Sequence, residues 1–339
     1  HMQSVFGNVL KELFSRAAVF VLLLLVYADI IKQEDFIRYL TGAYFLRTFL
    51  MMSYAFSMYR PTFTFQFPEN YKAVFNYAFY IILAGSAGAI LLDIDKVMLP
   101  QKEVIELAAY YAVAVYIAAV IEAPGRAMAQ IVQPLTAKAL NENNATEIAS
   151  LYKRTSINLV LICGLLFLLI NLNIDQLYLL INDKYSGGVY VVLMISIAKL
   201  YTLFLGNNGA IISNSKYYKI LLPYAVVMAV SVYFLNDWLI DVYGMNGAAL
   251  STLVVILVFN TLKLWYVKKK FNILPFTNKT GLLLLIIAGF YGAFYFWNFS
   301  FHPIVNILLK SMLIAVSYLW IVWKLKISIE INKLLDAYL

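Results

Sequence analysis

Long apolar runs, each followed by a short polar connection, repeat along the whole chain. A membrane-spanning helix needs about 20 mostly apolar residues, whereas a membrane β-barrel alternates apolar and polar positions. The pattern therefore predicts an all-α fold, a polytopic transmembrane helical bundle of about ten spans with no folded domain between them. The predicted spans are 13–31, 38–58, 73–93, 106–132, 154–174, 187–210, 219–237, 243–266, 280–299 and 304–324.

Lysine and arginine residues alternate strongly between the two sets of connections. Of the 26 lysines and arginines, 17 flank one set of span ends, five flank the opposite set and four lie inside spans. Cytoplasmic connections of membrane proteins carry the excess of these residues. The distribution predicts that both termini are cytoplasmic.

The overall composition excludes several classes of protein. Hydrophobic residues make up 63% of the 339 residues and charged residues 13%, against about 25% charged in soluble domains. A soluble enzyme, a disordered chain and a nucleic-acid-binding domain are excluded on this ground. The net charge of +8 is interpreted as a topology signal, with attraction to anionic membrane lipids as its by-product.

Residues suited to catalysis or metal binding are scarce. The chain has one cysteine, Cys163, and two histidines, so neither a disulfide framework nor a Cys- or His-based metal site is expected. It contains no His-Glu-x-x-His sequence and no P-loop. We therefore predict that the protein is not an enzyme, has no catalytic residues and needs no cofactor.

Four cations fall inside predicted spans, where an ionisable group usually faces a cavity or a partner. Arg47 lies nine residues beyond Arg38, roughly 13 Å along a helix and too deep for easy snorkelling. We expect it to meet an anionic ligand in a water-filled cavity or to pair with a carboxylate on a neighbouring helix. The same two interpretations stay open for Lys199, whereas Lys310 is expected to snorkel to the outer interface.

The sequence Glu-Ala-Pro-Gly-Arg at 122–126 allows two interpretations. Glu122 and Arg126 are one helical turn apart, in the favourable order for an ion pair that hides both charges. Alternatively, Pro124 and Gly125 break the helix at membrane depth, which is tolerated where the backbone lines a cavity and is common at transporter sites. In that case Glu122 is a candidate for gating or ion coupling.

The acidic sequence Asp-Ile-Asp-Lys at 93–96 ends the third predicted span. Carboxylates two residues apart point to different faces of a helix, so Asp93 and Asp95 are not expected to form a catalytic dyad. We interpret Asp93, Asp95 and Lys96 as a polar cap at the rim or as a gate salt bridge between lobes.

Several motifs, in order, resemble one transporter family. Residues 71–99, ending in Asp-Ile-Asp-Lys-Val-Met-Leu, resemble the first helix of the C-terminal lobe in polysaccharide flippases of the Wzx type. These flippases belong to the multidrug/oligosaccharidyl-lipid/polysaccharide exporter superfamily. A proline-containing helix at 110–135, the Tyr-Lys-Arg-Thr helix start at 152–155 and Gly-Met-Asn-Gly-Ala-Ala at 244–249 continue the resemblance.

The resemblance implies a two-lobe fold with an incomplete N-terminal lobe that lacks its first four helices. On this basis residues 1–65 form the last two helices of the N-terminal lobe. Residues 66–270 form a six-helix C-terminal lobe, and residues 271–339 form two additional helices and a cytoplasmic tail.

The function implied by the resemblance is movement of an undecaprenyl-diphosphate-linked oligosaccharide across the bacterial inner (plasma) membrane. The mechanism would be alternating access, coupled to H⁺ or Na⁺. The partners would be the lipid-linked oligosaccharide, membrane lipids, and the polysaccharide polymerase and glycosyltransferases of the same process. Because arginine suits bidentate contact with phosphate oxygens, Arg47 and Arg126 are the first candidates for substrate binding, with Lys199 as a third.

Three alternatives remain open. A multidrug exporter of the same superfamily would have the same architecture with a more apolar or more acidic cavity. A membrane glycan polymerase or ligase would need long outer loops, and the predicted outer connections are short. The third alternative is a structural membrane fragment without activity of its own.

Overall fold

The computed structural model describes residues 9–59 and 69–336, which are almost entirely helical and contain no strand. The predicted boundary at residue 65 and both chain ends lie outside the described residues. A π-helical turn, Val9–Phe14, opens the described part. The helices that follow are α1 (Ser15–Tyr27), α2 (Phe36–Met58), α3 (Tyr71–Lys102), α4 (Ile105–Ala119), α5 (Ala123–Asn141), α6 (Ala145–Asn171), α7 (Ile174–Ile181), α8 (Val189–Phe204), α9 (Asn208–Ser213), α10 (Leu221–Phe271), α11 (Thr280–Tyr295), α12 (Pro303–Lys324) and α13 (Ile329–Asp336).

The chain divides into two units, His1–Tyr71 and Lys72–Leu339. In the first unit, α1 packs against α2, and a 3₁₀ turn at Gln33–Asp35 lies between them. The second unit holds the remaining helices. The predicted division into residues 1–65, 66–270 and 271–339 stays a prediction.

Five helical stretches of the described chain are long and apolar enough to cross a membrane. They are Ile105–Asn141, Ala145–Asn171, Asp183–Phe204, Tyr218–Phe271 and Pro303–Lys324. Two shorter apolar helices are Ser15–Tyr27 and Thr280–Tyr295. The predicted all-α, multi-pass membrane bundle is confirmed at this level, whereas the number of about ten spans and the side on which the termini lie stay predictions.

A lipid-facing exterior accounts for the distribution of apolar side chains. Many large apolar side chains are exposed on the helices, where hydrocarbon rather than water would cover them. They include Phe45, Phe49, Phe75, Phe234, Trp238, Leu285, Leu308 and Met312.

The long helix α10 is a hairpin of two antiparallel arms that meet at Gly244. Gly244 has φ 55° and ψ −134°, a backbone conformation that glycine adopts without steric cost. Beyond it the second arm returns along the first, and the Ser251 hydroxyl donates to the carbonyl of Val232 over 3.4 Å. The arms touch most closely at Gly247, where an added Cβ would lie 1.9 Å from the Leu239 carbonyl oxygen.

Helix α6 is the centre of the second unit and contributes more than half of its own side chains to the core. It begins at Ala145 because the Asn144 side chain caps it, accepting a hydrogen bond from the Glu147 backbone N–H over 3.0 Å. One apolar cluster joins α6 to α11 and α12. A second cluster joins α4, α8 and the second arm of α10.

Lys310 does not snorkel, so that prediction was wrong. Its side chain on α12 is 1% exposed, and its Nζ donates to the carbonyl of Leu172 over 2.6 Å. A second bond goes to Oδ1 of Asn298 over 3.1 Å. The last carbonyls of a helix lack partners within it and attract cations. Lys310, on the neighbouring helix α12, therefore caps the C-terminal end of α6.

Candidate functional site

An ion pair between a buried lysine on α8 and a half-buried glutamate in the turn before α5 lies inside the second unit. The Lys199 Nζ lies 2.8 Å from Oε1 of Glu122, and the two side chains are 11% and 27% exposed. The predicted pair between Glu122 and Arg126 is therefore wrong. Lys199 is far less exposed than Arg126, so leaving it without a counter-charge would cost much more free energy.

The turn that carries Glu122 is tightened but not unwound. Val120–Glu122 form a 3₁₀ turn, and Glu122 keeps right-handed helical angles (φ −79°, ψ −12°). Pro124 follows in the first turn of α5, where its missing N–H leaves no intrahelical bond unmade. An open helix break lining a cavity is not what the backbone shows at this point.

Gly125 allows α5 to approach α8 closely. A Cβ on Gly125 would lie 2.2 Å from the Leu203 side chain, so only a glycine permits the observed approach without a shift of Leu203. Leu203 lies one turn beyond Lys199 on α8. The close contact therefore helps to hold Glu122 within ion-pair distance of Lys199.

Arg126 is left without a counter-charge. Its side chain is exposed, and among the described residues it makes neither an ion pair nor a hydrogen bond. Because Glu122 is engaged by Lys199, no described residue occupies the donors of the Arg126 guanidinium.

Arg47, in the first unit, is half-buried among neutral groups. Its Nη1 donates to the hydroxyl of Ser15 over 2.7 Å, and its guanidinium lies 5.0 Å from the centre of the Tyr44 ring. Its Nε is buried without a hydrogen-bond partner. The partners that the structure describes for Arg47 therefore leave its charge uncompensated.

Asp93, Asp95 and Lys96 make two separate sets of contacts. Asp93 and Lys96 form an exposed ion pair within α3, with Oδ1 and Nζ 2.6 Å apart. Asp95 is 3% exposed and accepts hydrogen bonds from the Tyr111 hydroxyl and, over 2.8 Å, from the Lys96 backbone N–H. The two carboxylates thus lie on different faces, and a gate between lobes stays a prediction.

Replacing Tyr111 with phenylalanine tests the Asp95 contact. Tyr111 is fully buried, so Tyr111→Phe would remove a donor from a buried carboxylate without opening a large cavity. We expect the free energy of unfolding to fall by about 2 kcal/mol. The check is the detergent-solubilised protein's thermal unfolding, with the exposed Tyr116→Phe as control. Equal stability of the two variants would contradict the contact.

Sequence reasoning missed the ion pairs that join α3 to the hairpin. The Lys102 Nζ lies 2.7 Å from Oδ1 of Asp237 and 2.9 Å from Oδ1 of Asp241. Asp237 and Asp241 are four residues apart, so one helical face presents both carboxylates. The four-residue spacing of the two aspartates could have indicated a shared cation. Their partner, Lys102, could not be identified because it lies 135 or more residues away in the sequence.

Comparison with known proteins yields no assignment: no protein-family model matches the chain, and no curated protein is significantly similar to it. Across the described residues, no group of three or more His, Cys, Asp or Glu side chains is placed to hold a metal ion. Any proposal about function therefore rests on the geometry of the charged residues.

Proposed function

We propose that the protein is a membrane flippase for an undecaprenyl-diphosphate-linked oligosaccharide in the bacterial plasma membrane. Transport would proceed by alternating exposure of the bound substrate to the two sides. The observation that carries the proposal is the exposed and uncompensated guanidinium of Arg126, next to a helical turn whose only nearby carboxylate, within the described chain, is already paired.

An uncompensated charge at membrane depth is costly, so such residues usually serve a ligand or an ion pathway. Arg126 lies within Ile105–Asn141, one of the apolar stretches long enough to span a membrane. Arginine presents a planar fork of donors that fits two phosphate oxygens at once. A diphosphate headgroup is therefore a well-matched substrate group for Arg126.

Arg47 supports the same proposal from the first unit. Its described partners are a serine hydroxyl and a tyrosine ring, neither of which carries a charge. Lys199 is different, because Glu122 neutralises it. In this proposal Arg47 and Arg126 bind phosphate, whereas Lys199 holds Glu122 in place.

Coupling to H⁺ or Na⁺ would need a carboxylate whose partner changes during transport. Glu122 and Asp95 are the candidates, since each is held by one side-chain donor, Lys199 or Tyr111. Asp93 and Lys96 are exposed and paired with each other, which suits a rim position for gating.

Replacing each arginine tests the anion-binding role. Arg126→Ala and Arg47→Ala should each weaken binding of undecaprenyl-diphosphate-linked oligosaccharide by about 10–100-fold, since each removes charge-assisted hydrogen bonds. Arg126→Lys should recover part of the loss, because it keeps the charge and loses the bidentate geometry. Binding is measured on the purified chain, and transport by the appearance of labelled substrate on the far side of vesicles.

Arg38→Ala is the matched control. Its guanidinium is exposed and pairs with Asp35 over 2.8 Å, so it should leave binding unchanged. Unchanged binding in the Arg47 and Arg126 variants would refute the phosphate-binding roles of these arginines. If vesicles containing the chain instead move lipophilic cations, independently of both arginines, the multidrug-exporter alternative would replace the proposal.

A further inference from the structure

A basic cavity lies at the end of the second unit where α11 begins and α12 ends. Its volume is about 520 Å³, and a neighbouring cavity of about 540 Å³ beside α13 shares Lys326, Ser328 and Ile329 with it. The basic cavity lies between the early part of α6, the residues before α11 and the connection from α12 to α13. The cation distribution predicts that this end is cytoplasmic.

The basic cavity has a strongly positive lining. Four cations and one carboxylate face it, which leaves a net charge of +3. These residues are Lys153, Arg154, Lys279, Lys326 and Glu330. They come from three separate segments of the chain, so the fold itself concentrates the charge.

Two of the cations are fixed by contacts within the protein. The Lys279 Nζ donates to the carbonyls of Leu325, over 3.2 Å, and Lys326. Arg154 pairs with Glu330, with Nε and Oε1 2.5 Å apart. Lys153 and Lys326, by contrast, make no ion pair with a described residue and keep their ammonium groups for a ligand.

Lys326 occupies an unusual backbone position. It follows the end of α12 with φ +50°, the left-handed conformation for which helix ends normally use glycine. A lysine accepts a steric cost at this position. The conformation directs the chain from α12 into α13 while keeping a cation at the cavity.

Glu330 is held in the cavity wall by a polar network. Its carboxylate receives bonds from Arg154, from Asn158 over 3.4 Å and from Ser328 over 3.2 Å. Partial burial by itself raises the pKa of Glu330, but its backbone hydrogen bond and the Arg154 guanidinium outweigh this and lower the pKa. Glu330 is therefore ionised at neutral pH and occupies part of the anion-binding capacity of Arg154.

The start of α11 adds a further positive contribution. Thr277, Asn278 and Lys279 line the cavity directly before the first helical residue, Thr280. A helix of 16 residues carries a partial positive charge at this end, which favours phosphate groups.

From these observations we propose that the cavity binds the phosphate group of a lipid headgroup at the cytoplasmic surface of the membrane. Basic pockets between membrane helices on this side are suited to anionic lipid headgroups. The phosphate could belong to an anionic phospholipid or to an isoprenoid diphosphate, and the experiment separates these sources. The site does not depend on the proposed transport function, since none of its residues is assigned to the transport site.

The experiment measures thermal stabilisation of the purified chain in a neutral detergent. Cys163 is the single cysteine and is buried, so a thiol-reactive fluorogenic dye reports unfolding. Short-chain phosphatidylglycerol and farnesyl diphosphate are the two probes, and short-chain phosphatidylcholine is the zwitterionic control. We expect at least one anionic probe to raise the unfolding temperature with a saturating concentration dependence, and the control lipid to have no such effect.

The double variant Lys153→Gln/Lys326→Gln should bind the effective probe at least about tenfold more weakly. Lys219→Gln/Lys268→Gln removes the same charge from exposed positions outside the cavity and should bind within about twofold of the unaltered chain. Unfolding temperatures without probe show whether either variant is misfolded. Stabilisation by phosphatidylglycerol assigns the site to phospholipid, and stabilisation by farnesyl diphosphate alone assigns it to an isoprenoid diphosphate.

A gain of affinity in Glu330→Gln gives an independent test. Glutamine keeps the side-chain length but releases Arg154 from its ion pair, so the effective probe should bind several-fold more tightly. No stabilisation by either anionic probe would overturn the proposal. Equal weakening in the two lysine double variants would also overturn it, because binding would then follow surface charge alone.

Discussion

Replacing Gly247 with alanine should unfold or open the α10 hairpin and lower the free energy of unfolding by about 3 kcal/mol. The added Cβ would lie 1.9 Å from the carbonyl oxygen and 2.4 Å from the carbonyl carbon of Leu239. Both atoms belong to the backbone of the opposing arm, so no side-chain rotation relieves the overlap. The arms must separate, which exposes the contacts that they share.

The contacts at risk extend along the hairpin. Tyr224 packs edge-on against Phe259, with ring centroids 6.4 Å apart, and Val232 and Val255 are buried in the same cluster. Opening the arms near Gly247 would weaken these contacts. Thermal unfolding in detergent, followed by helical circular dichroism and by Cys163 reactivity, measures the loss.

Gly289→Ala is the matched control for Gly247→Ala. Gly289 is also helical, but a Cβ there meets nothing within 4 Å. In a helix interior this change should raise stability by roughly 0.5–1 kcal/mol because alanine loses less backbone entropy than glycine. If both variants were equally stable, the close approach of the arms would be wrong.

The sequence indicated the hairpin through two separate signals. Apolar runs predicted spans at 219–237 and 243–266, and Gly-Met-Asn-Gly-Ala-Ala lies between the middles of these runs. The reversal is at Gly244, just inside the predicted second span. Hydrophobicity locates a span to within several residues, whereas the turn itself is set by the single residue that tolerates its backbone angles.

Partners of buried charges were much less accessible from the sequence. Helical spacing detects only neighbours on the same helix, and so it paired Glu122 with Arg126. The observed partner, Lys199, comes from another helix. The partner of Lys310 was missed for the same reason, since the carbonyl of Leu172 lies 138 residues away. Such contacts depend on how helices pack, which apolar periodicity does not specify.

Other parts of the charged pattern could be predicted. Two carboxylates two residues apart cannot share a helix face, and Asp93 is exposed whereas Asp95 is buried. The basic cavity could not be predicted from the sequence. Its cations are scattered over residues 153–326, and membrane topology is enough to account for each of them taken alone. Their convergence is visible only in the folded chain.

Breaking the Glu122–Lys199 pair from one side should lower the free energy of unfolding by about 3 kcal/mol. Glu122→Gln leaves the Lys199 ammonium, which is 11% exposed, without a counter-charge. Lys199→Met leaves the Glu122 carboxylate unpaired and should have a smaller effect, because 27% of that side chain is exposed. Thermal unfolding followed by helical circular dichroism measures each variant.

The double variant Glu122→Gln/Lys199→Met should recover most of the lost stability, because neither charge then remains buried. Additive losses in the double variant would contradict the ion pair.

The same variant separates a structural role of the pair from a role in the proposed transport. If it is stable and still transports, Glu122 only neutralises Lys199. If it is stable and binds substrate normally but is inactive in the proposed transport, the Glu122–Lys199 pair takes part in ion coupling, since stability alone would not explain the loss.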